Sequence, residues 1–354
     1  MRKKKRKIAV VTFNLGGPDS LESVKPFLFN LFFDPYIIRK PKPIRWLIAQ
    51  LISSRRNQTA QDIYKKIGGR SPILDQTEAQ ARALEKMFEG DDHLTLKVFT
   101  AMRYWHPFVD ETIGRVREFE PEQIVLLPLY PQYSTTTTES FFAVWGNAAM
   151  DLTTPVKAVC CYPNNKGFVN SVSEKLRVAL KNIQSPDYRV LFSAHGLPKT
   201  FIQNGDPYQR HVEGTVEAVV RAARLVKEDY VVCYQSRVGP VEWLRPYTDD
   251  EIKRAAQDRR AIVLVPIAFV SEHSETLVEL DIEYRDLARD LGVVEYLRIE
   301  TVQTDPSFID GLAGLVRKAL ANDGPVTFGG CESPCQNEWR HCAYKNGWPN
   351  NLRQ

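Results

Sequence analysis

Neither sign of charge is in real excess. Lys and Arg number 47 and Asp and Glu 43, a net of +4 over 354 residues, too small a surplus to mark a nucleic-acid-binding surface. No run of about 18 uncharged apolar residues occurs, so no membrane-spanning helix is expected. No segment repeats at a period of about 20 to 50 residues, which excludes a solenoid. The phosphate-cradling patterns GxGxxG and GxxxxGK[ST] are missing, which disfavours a nucleotide-binding enzyme. Cysteine is scarce, six in all, too few for a disulfide scaffold in a chain of this length. The opening MRKKKRKIAVVTFNLGGP joins a basic run to a short apolar segment with no small-residue cleavage site, so no signal peptide is read and the chain is expected in the cytoplasm. What remains is an ordinary globular composition, 43% apolar and 25% charged, long enough for two domains.

Short apolar runs rich in Val, Ile, Leu and Phe recur at 8–14, 96–101, 124–129, 190–193, 230–235 and 261–268. They lack polar alternation, the mark of strands buried on both faces. Helical stripes lie between them: Ala79, Ala83, Leu84 and Met87 within 76–88, and similar patterns at 167–180 and 212–226. Strand and helix alternate twice, before and after about residue 165. The fold class expected is α/β, two doubly wound Rossmann-like halves with the active cleft between them. The divisions are 1–165, 166–322 and a cysteine-rich tail, 323–354, packed on the body. In such folds ligands bind beyond the carboxyl ends of strands, so residues that directly follow strands are the first candidates.

Four segments meet that condition or carry unusual chemistry. Asn14-Leu15-Gly16-Gly17-Pro18 is a tight turn after the first strand. His195 follows an apolar strand within FSAHGLP, where an imidazole can work as ligand or base. The segment SEHSETLVELDIEY, 271–284, spaces Glu275, Glu279 and Glu283 by four, with His273 beside them and no Lys or Arg in between. On a helix this is one acidic stripe, destabilised by its own repulsion. Such a stripe suits a hydrated cation or a proton relay, and the two His offer neutral nitrogen to a softer ion such as Fe²⁺. The stretch 27–72 is aromatic and basic. Most of its side chains suit a core helix. The alternative is the lip of a pocket for a flat apolar ligand with acidic groups, Arg55 and Arg56 holding the carboxylates and the lip resting on a membrane surface. Arg103-Tyr104-Trp105 and Tyr130-Pro131 follow strands and add aromatic walls.

Taken in order, NLGGPDS (14–20), YKKIGGRSPI (64–73), RYWHP (103–107), YPQYSTTTT (130–138), FSAHGLP (192–198), SRVGPVEWL (236–244) and SEHSETLVELDIEY (271–284) resemble the ferrochelatase family over about residues 8 to 320. The resemblance implies a chelatase-like fold and insertion of ferrous iron into a porphyrin, protoporphyrin IX ahead of coproporphyrin, to make haem. It places the metal-site His on His195, its partner carboxylate on Glu275 and the acidic relay on His273, Glu279 and Glu283. It places pocket residues on Leu15, Tyr64, Tyr104, Tyr130 and Trp243, propionate-binding residues on Arg55, Arg56 and Ser71, and Arg103 in the pocket wall. Porphyrin and Fe²⁺ are then the partners, with peripheral membrane contact through the lip.

Cys331, Cys335 and Cys342, with His341 beside the last, crowd into the C-terminal tail and suggest part of a metal site. Some ferrochelatases hold a [2Fe-2S] cluster with three tail Cys and one from the body. A cluster needs four ligands, and Cys160 or Cys161, with Cys161 preferred, is the candidate for the fourth. The competing functions are a related tetrapyrrole chelatase for another metal, and a non-catalytic metal or haem carrier.

Overall fold

The computed structural model describes residues 5–226, 229–330, 341 and 343. Two compact units emerge, one holding the chain up to Tyr162 together with Leu312–Gly329, the other holding Pro163–Gly311.

The first unit runs β1 (Arg6–Asn14), α1 (Val24–Phe32), α2 (Lys42–Lys65), α3 (Ile73–Lys86), β2 (Leu94–Met102), α4 (Val109–Phe119), β3 (Gln123–Pro128), a π-helix (Thr135–Glu139), α5 (Ser140–Ala148) and β4 (Val156–Cys161). Its sheet is parallel, ordered β2-β1-β3-β4, and is completed by β9 (Val326–Phe328) beside β4. β1 is buried from Ile8 to Asn14 and β3 throughout, as a sheet covered on both faces requires. Phe13 stacks on Phe141 at 3.8 Å between ring centroids, and Trp145 closes the same core. At the end of β1 the chain turns through Gly16 at φ +84°, and a Cβ on Gly17 would meet Ser71 Oγ at 2.6 Å. Glycine is needed here both for the backbone conformation and for the close approach.

The second unit runs α6 (Lys166–Asn182), β5 (Tyr188–His195), α7 (Lys199–Gln203), α8 (Tyr208–Ala223), β6 (Tyr230–Gln235), α9 (Thr248–Gln257), β7 (Ala261–Pro266), a π-helix (Glu275–Glu283), α10 (Tyr284–Asp290), β8 (Tyr296–Arg298) and the start of α11 (Pro306–Ala321). Its parallel sheet is ordered β6-β5-β7-β8. That order matches the first four strands of the other sheet one for one, so β1 corresponds to β5, β2 to β6 and β3 to β7. In each unit the third strand of the chain is followed by a π-helix. The two units are therefore doubly wound α/β structures, as the alternating pattern implies. The short strands β8 and β9 lie outside the apolar runs read from the sequence. A strand of three residues is too brief to leave a periodic signal.

Candidate active site

The second unit brings four of the expected residues together. His195 ends β5, and its Nδ1 lies 2.8 Å from Glu275 Oε2. Glu275 opens the π-helix that follows β7. His273 is buried just before it, with Nε2 3.8 Å from Glu275 Oε1. Glu279 lies on the same side of the helix. Glu283 is exposed at the helix end. One turn of a π-helix, with i→i+5 bonding, exceeds four residues, so acids four apart still fall near one another.

The charges of these groups are mutually dependent. Burial works against the imidazolium of His195, but the adjacent Glu275, helped by Glu279, lifts its pKa above the usual histidine value. Burial also opposes the Glu275 carboxylate, yet His195 and His273 hold it well below the usual range. Glu279 is pushed up, by burial first and then by the charge on Glu275. An ionised Glu275 can only accept, so Nδ1 of His195 carries the hydrogen of that bond. In the neutral ring Nε2 then keeps its lone pair, and no described residue takes it. Among the described residues no group of three or more His, Cys, Asp or Glu is disposed to hold a metal ion. His195 and Glu275 thus form an open pair rather than a closed cage.

Ser236 belongs to this group, although attention to the His and the acids alone passes over it. It follows β6 directly, at φ +63°, a left-handed conformation that disfavours any residue with a Cβ. Its N–H donates to Glu279 Oε1 at 2.9 Å, and its Oγ lies 3.1 Å from Glu275 Oε2 and in short contact with Glu279 Oε2. One hydroxyl hydrogen thus faces two carboxylates. Gln235 Nε2 stands 3.5 Å from Glu275, and Tyr284 donates its hydroxyl to Glu279 at 3.1 Å. The available signal for Ser236 was its place directly after a strand. Trp243, also in this unit, is partly buried, with its indole N–H on the Val238 carbonyl at 3.1 Å.

In the first unit, Leu15 packs partly buried against a cluster that contains Tyr64 and Tyr104. Tyr104, expected in a pocket wall, has no exposed surface. Its hydroxyl donates to Asp34 Oδ2 at 2.6 Å, and Arg103 Nη2 donates to the same oxygen at 2.8 Å. Tyr64 and Ser71 are buried as well. Arg103 keeps 15% of its side chain exposed. Tyr130 is partly buried, and Arg55 and Arg56 are exposed on α2. Cys331, Cys335 and Cys342 lie outside the described residues. Of the body thiols, Cys160 and Cys161 are buried, 3.4 Å apart at sulfur.

The strained backbone at Ser236 yields a prediction about stability. Ser236→Gly and Ser236→Ala both remove the hydroxyl, but only glycine relieves the conformation. The glycine variant is expected to be more stable than the alanine variant by about 1–2 kcal/mol in denaturant unfolding. Equal midpoints would mean the positive φ carries no cost.

Comparison with known proteins completes the picture. The family model Ferrochelatase matches residues 7–320. The chain is 48% identical over 345 residues to the ferrochelatase of Caulobacter vibrioides, covering 97% of this chain and 99% of that protein. It is 46% identical over 348 residues to that of Rickettsia bellii, covering 98% and 97%. A Wolbachia ferrochelatase, from the symbiont of Drosophila simulans, is 51% identical over 316 residues, covering 87% and 98%. Among solved structures, SirB from Bacillus subtilis with Fe3+ aligns with a TM-score of 0.54 at 11% identity, covering 90% of this chain and 96% of that one, a likeness of fold alone. With the sequence matches spanning nearly the whole length, the chain belongs to the ferrochelatase family.

Proposed function

We propose that this protein inserts Fe²⁺ into a porphyrin to make haem, with release of the two pyrrole protons. The observation that carries the reading is the state of His195: Nδ1 is held by Glu275 and Nε2 is left free for a ligand. Insertion requires that two N–H protons leave and that the incoming ion lose its water. A free porphyrin is flat and its own hydrogens shield its lone pairs. A pocket that bends the ring exposes those nitrogens, at a strain of about 1–5 kcal/mol drawn from binding energy. His195 Nε2 then takes a pyrrole proton or holds the metal at one face, and the two uses compete for one lone pair. Glu275 stabilises the imidazolium in the first case and orients the neutral ring through its Nδ1–H in the second. Glu279 continues the acidic path, with Glu283 at its exposed end, and His273 supports Glu275 from behind. On the porphyrin side, Arg55, Arg56 and Ser71 supply donors for the propionates, Leu15, Tyr64, Tyr104, Tyr130 and Trp243 form the pocket, and Arg103 stands in its wall. Protoporphyrin IX is the preferred substrate in this reading.

Two further assignments accompany it. The first is a [2Fe-2S] cluster on Cys161, Cys331, Cys335 and Cys342. The chemistry of the body site fits a sulfur-bound group: two buried thiols stand side by side, and Gly329, two residues before Cys331, donates its N–H to the Cys161 carbonyl at 2.8 Å. Ala343, next to Cys342, is buried in the same core cluster as Cys160 and Cys161. Such a group would tie the tail to β4, because metal–sulfur binding adds directly to folding free energy. The second is contact with a membrane surface from the cytoplasmic side. No described helix is long and apolar enough to cross a bilayer, but α2 exposes Ile44, Trp46, Leu47 and Leu51, with Leu47 62% exposed. Lys40, Lys42, Arg55 and Arg56 flank them, the combination that rests on anionic lipid.

Each assignment has its own test. His195→Ala is expected to lower the rate of iron insertion by about 10²–10⁴-fold while porphyrin binding, followed by fluorescence, survives. Intact turnover in that variant removes the assignment. Protein purified without oxygen is expected to be brown, with iron and acid-labile sulfide, and C161S is expected to be colourless. A colourless, iron-free wild-type protein rules the cluster out. Trp46→Ala with Leu47→Ser is expected to reduce co-sedimentation with phosphatidylglycerol vesicles at least severalfold, since each buried methylene contributes about 0.8 kcal/mol. Equal binding by wild type and variant would sink the membrane reading.

A further inference from the structure

The acidic segment 271–284 carries Glu272, Glu275, Glu279, Asp281 and Glu283 without a single Lys or Arg. Like charges so close on one element repel; Arg285, just past the segment, pairs with Asp281, and further compensation comes from elsewhere in the fold. Arg298, on β8, provides much of it. Its side chain is only 6% exposed. Nη1 donates to both carboxylate oxygens of Glu272, at 3.0 and 3.1 Å, and Nη2 donates to Asp281 Oδ2 at 3.2 Å. Glu272 also accepts the Thr301 N–H at 2.8 Å. Burial opposes the Glu272 carboxylate, but Arg298 outweighs it and holds the pKa below the usual value.

The two gripped acids bracket the site. Glu272 precedes the π-helix and Asp281 lies near its far end, so one guanidinium spans the helix from its approach to its last turn. Two residues along the same face of β8, Tyr296 donates its hydroxyl to the Leu280 carbonyl. The acids that Arg298 leaves alone are equally informative. Among the described residues neither Glu275 nor Glu279 is paired with Lys or Arg. Their partners are His195, His273, Gln235, Ser236 and Tyr284. The buried cation takes the carboxylates beside the site and leaves those in it to imidazole, amide and hydroxyl groups.

We propose that Arg298 is a positioning residue for metal handling: by clamping Glu272 and Asp281 it sets the register of the π-helix, and so places Glu275 and Glu279 beside His195. The inference rests on the reading that His195 and Glu275 handle the metal. A buried Arg with two acids is also what a purely structural pair looks like, so the test must separate the two roles.

Steady-state insertion assays on the full-length protein, with Fe²⁺ and porphyrin varied separately, are run on R298M and E272Q. Porphyrin affinity is measured in parallel by fluorescence titration. In both variants kcat is expected to fall by roughly tenfold to a hundredfold and the KM for Fe²⁺ to rise, while the porphyrin dissociation constant stays within about twofold. The double variant is expected to be no worse than R298M, since partners in one network do not add. E272Q keeps the side-chain shape and carries the test alone if R298M does not fold. Wild-type kinetics in E272Q, or a porphyrin affinity that falls in step with kcat, would overturn the proposal. H195A is the control. If it is active, the underlying reading fails. If it is dead while E272Q is fully active, only the clamp fails.

Discussion

The hydrogen bond between His195 and Glu275 decides what the site can do. It joins two groups that burial alone would discharge, and each favours the charged form of the other. It also settles the ring: with Nδ1 committed to the carboxylate, Nε2 is the nitrogen left for chemistry. Every neighbour can be understood through that bond. His273 adds to the stabilisation of Glu275, Gln235 and Ser236 approach the oxygen that His195 uses, and Glu279, already near one negative charge, is driven toward its protonated form. The charge of each of these residues thus responds to its neighbours.

That bond can form only because the parallel sheet places it. β5 and β7 are adjacent and in register, Ser193 opposite Pro266, so both chains leave the sheet at the same edge. His195 is the last residue of one strand, and Glu275 arrives after a short connection from the other. The same edge receives Ser236 from β6, adjacent on the other side of β5. Three neighbouring strands thus deliver an imidazole, a hydroxyl and two carboxylates to one place, with the strained backbone of Ser236 held where its hydroxyl reaches both acids. Strain of this kind persists only when the surroundings over-determine it.

What could be read in advance follows from the same physics. Buried strands leave apolar runs, so β1, β2, β3, β5, β6 and β7 were legible, and with them the strand ends where His195 and Arg103 sit. β8 and β9 left no such trace, and with β8 the partner of Glu272 and Asp281, Arg298, stayed hidden. The acids at 275, 279 and 283 revealed a shared face but not the π register, because a four-residue spacing suits either helix. The partner of Tyr104 stayed hidden too: its hydroxyl is held by Asp34, 70 residues earlier in the chain, and no local pattern records that pairing.

The correspondence between the two units adds a last step. Both sheets have the order 2-1-3-4 through their first four strands, and both follow the third strand with a π-helix, a rare element that tends to accompany function. Yet the chemistry on the matching positions differs. β1 ends in Asn14, whose side chain is used up on Thr77 and on the Leu15 N–H, where β5 ends in His195 with a free nitrogen. The first π-helix is made of Thr135 to Glu139 and is mostly buried, whereas the second presents Glu275 and Glu279 to an imidazole. After β2 comes Arg103, bound to Asp34 and Ser140. After β6 comes Ser236, bound to the acids. One backbone plan thus carries a cation-and-aromatic edge in one unit and an acid-and-imidazole edge in the other. A common scaffold can supply such different edges by changing only the residues that follow its strands.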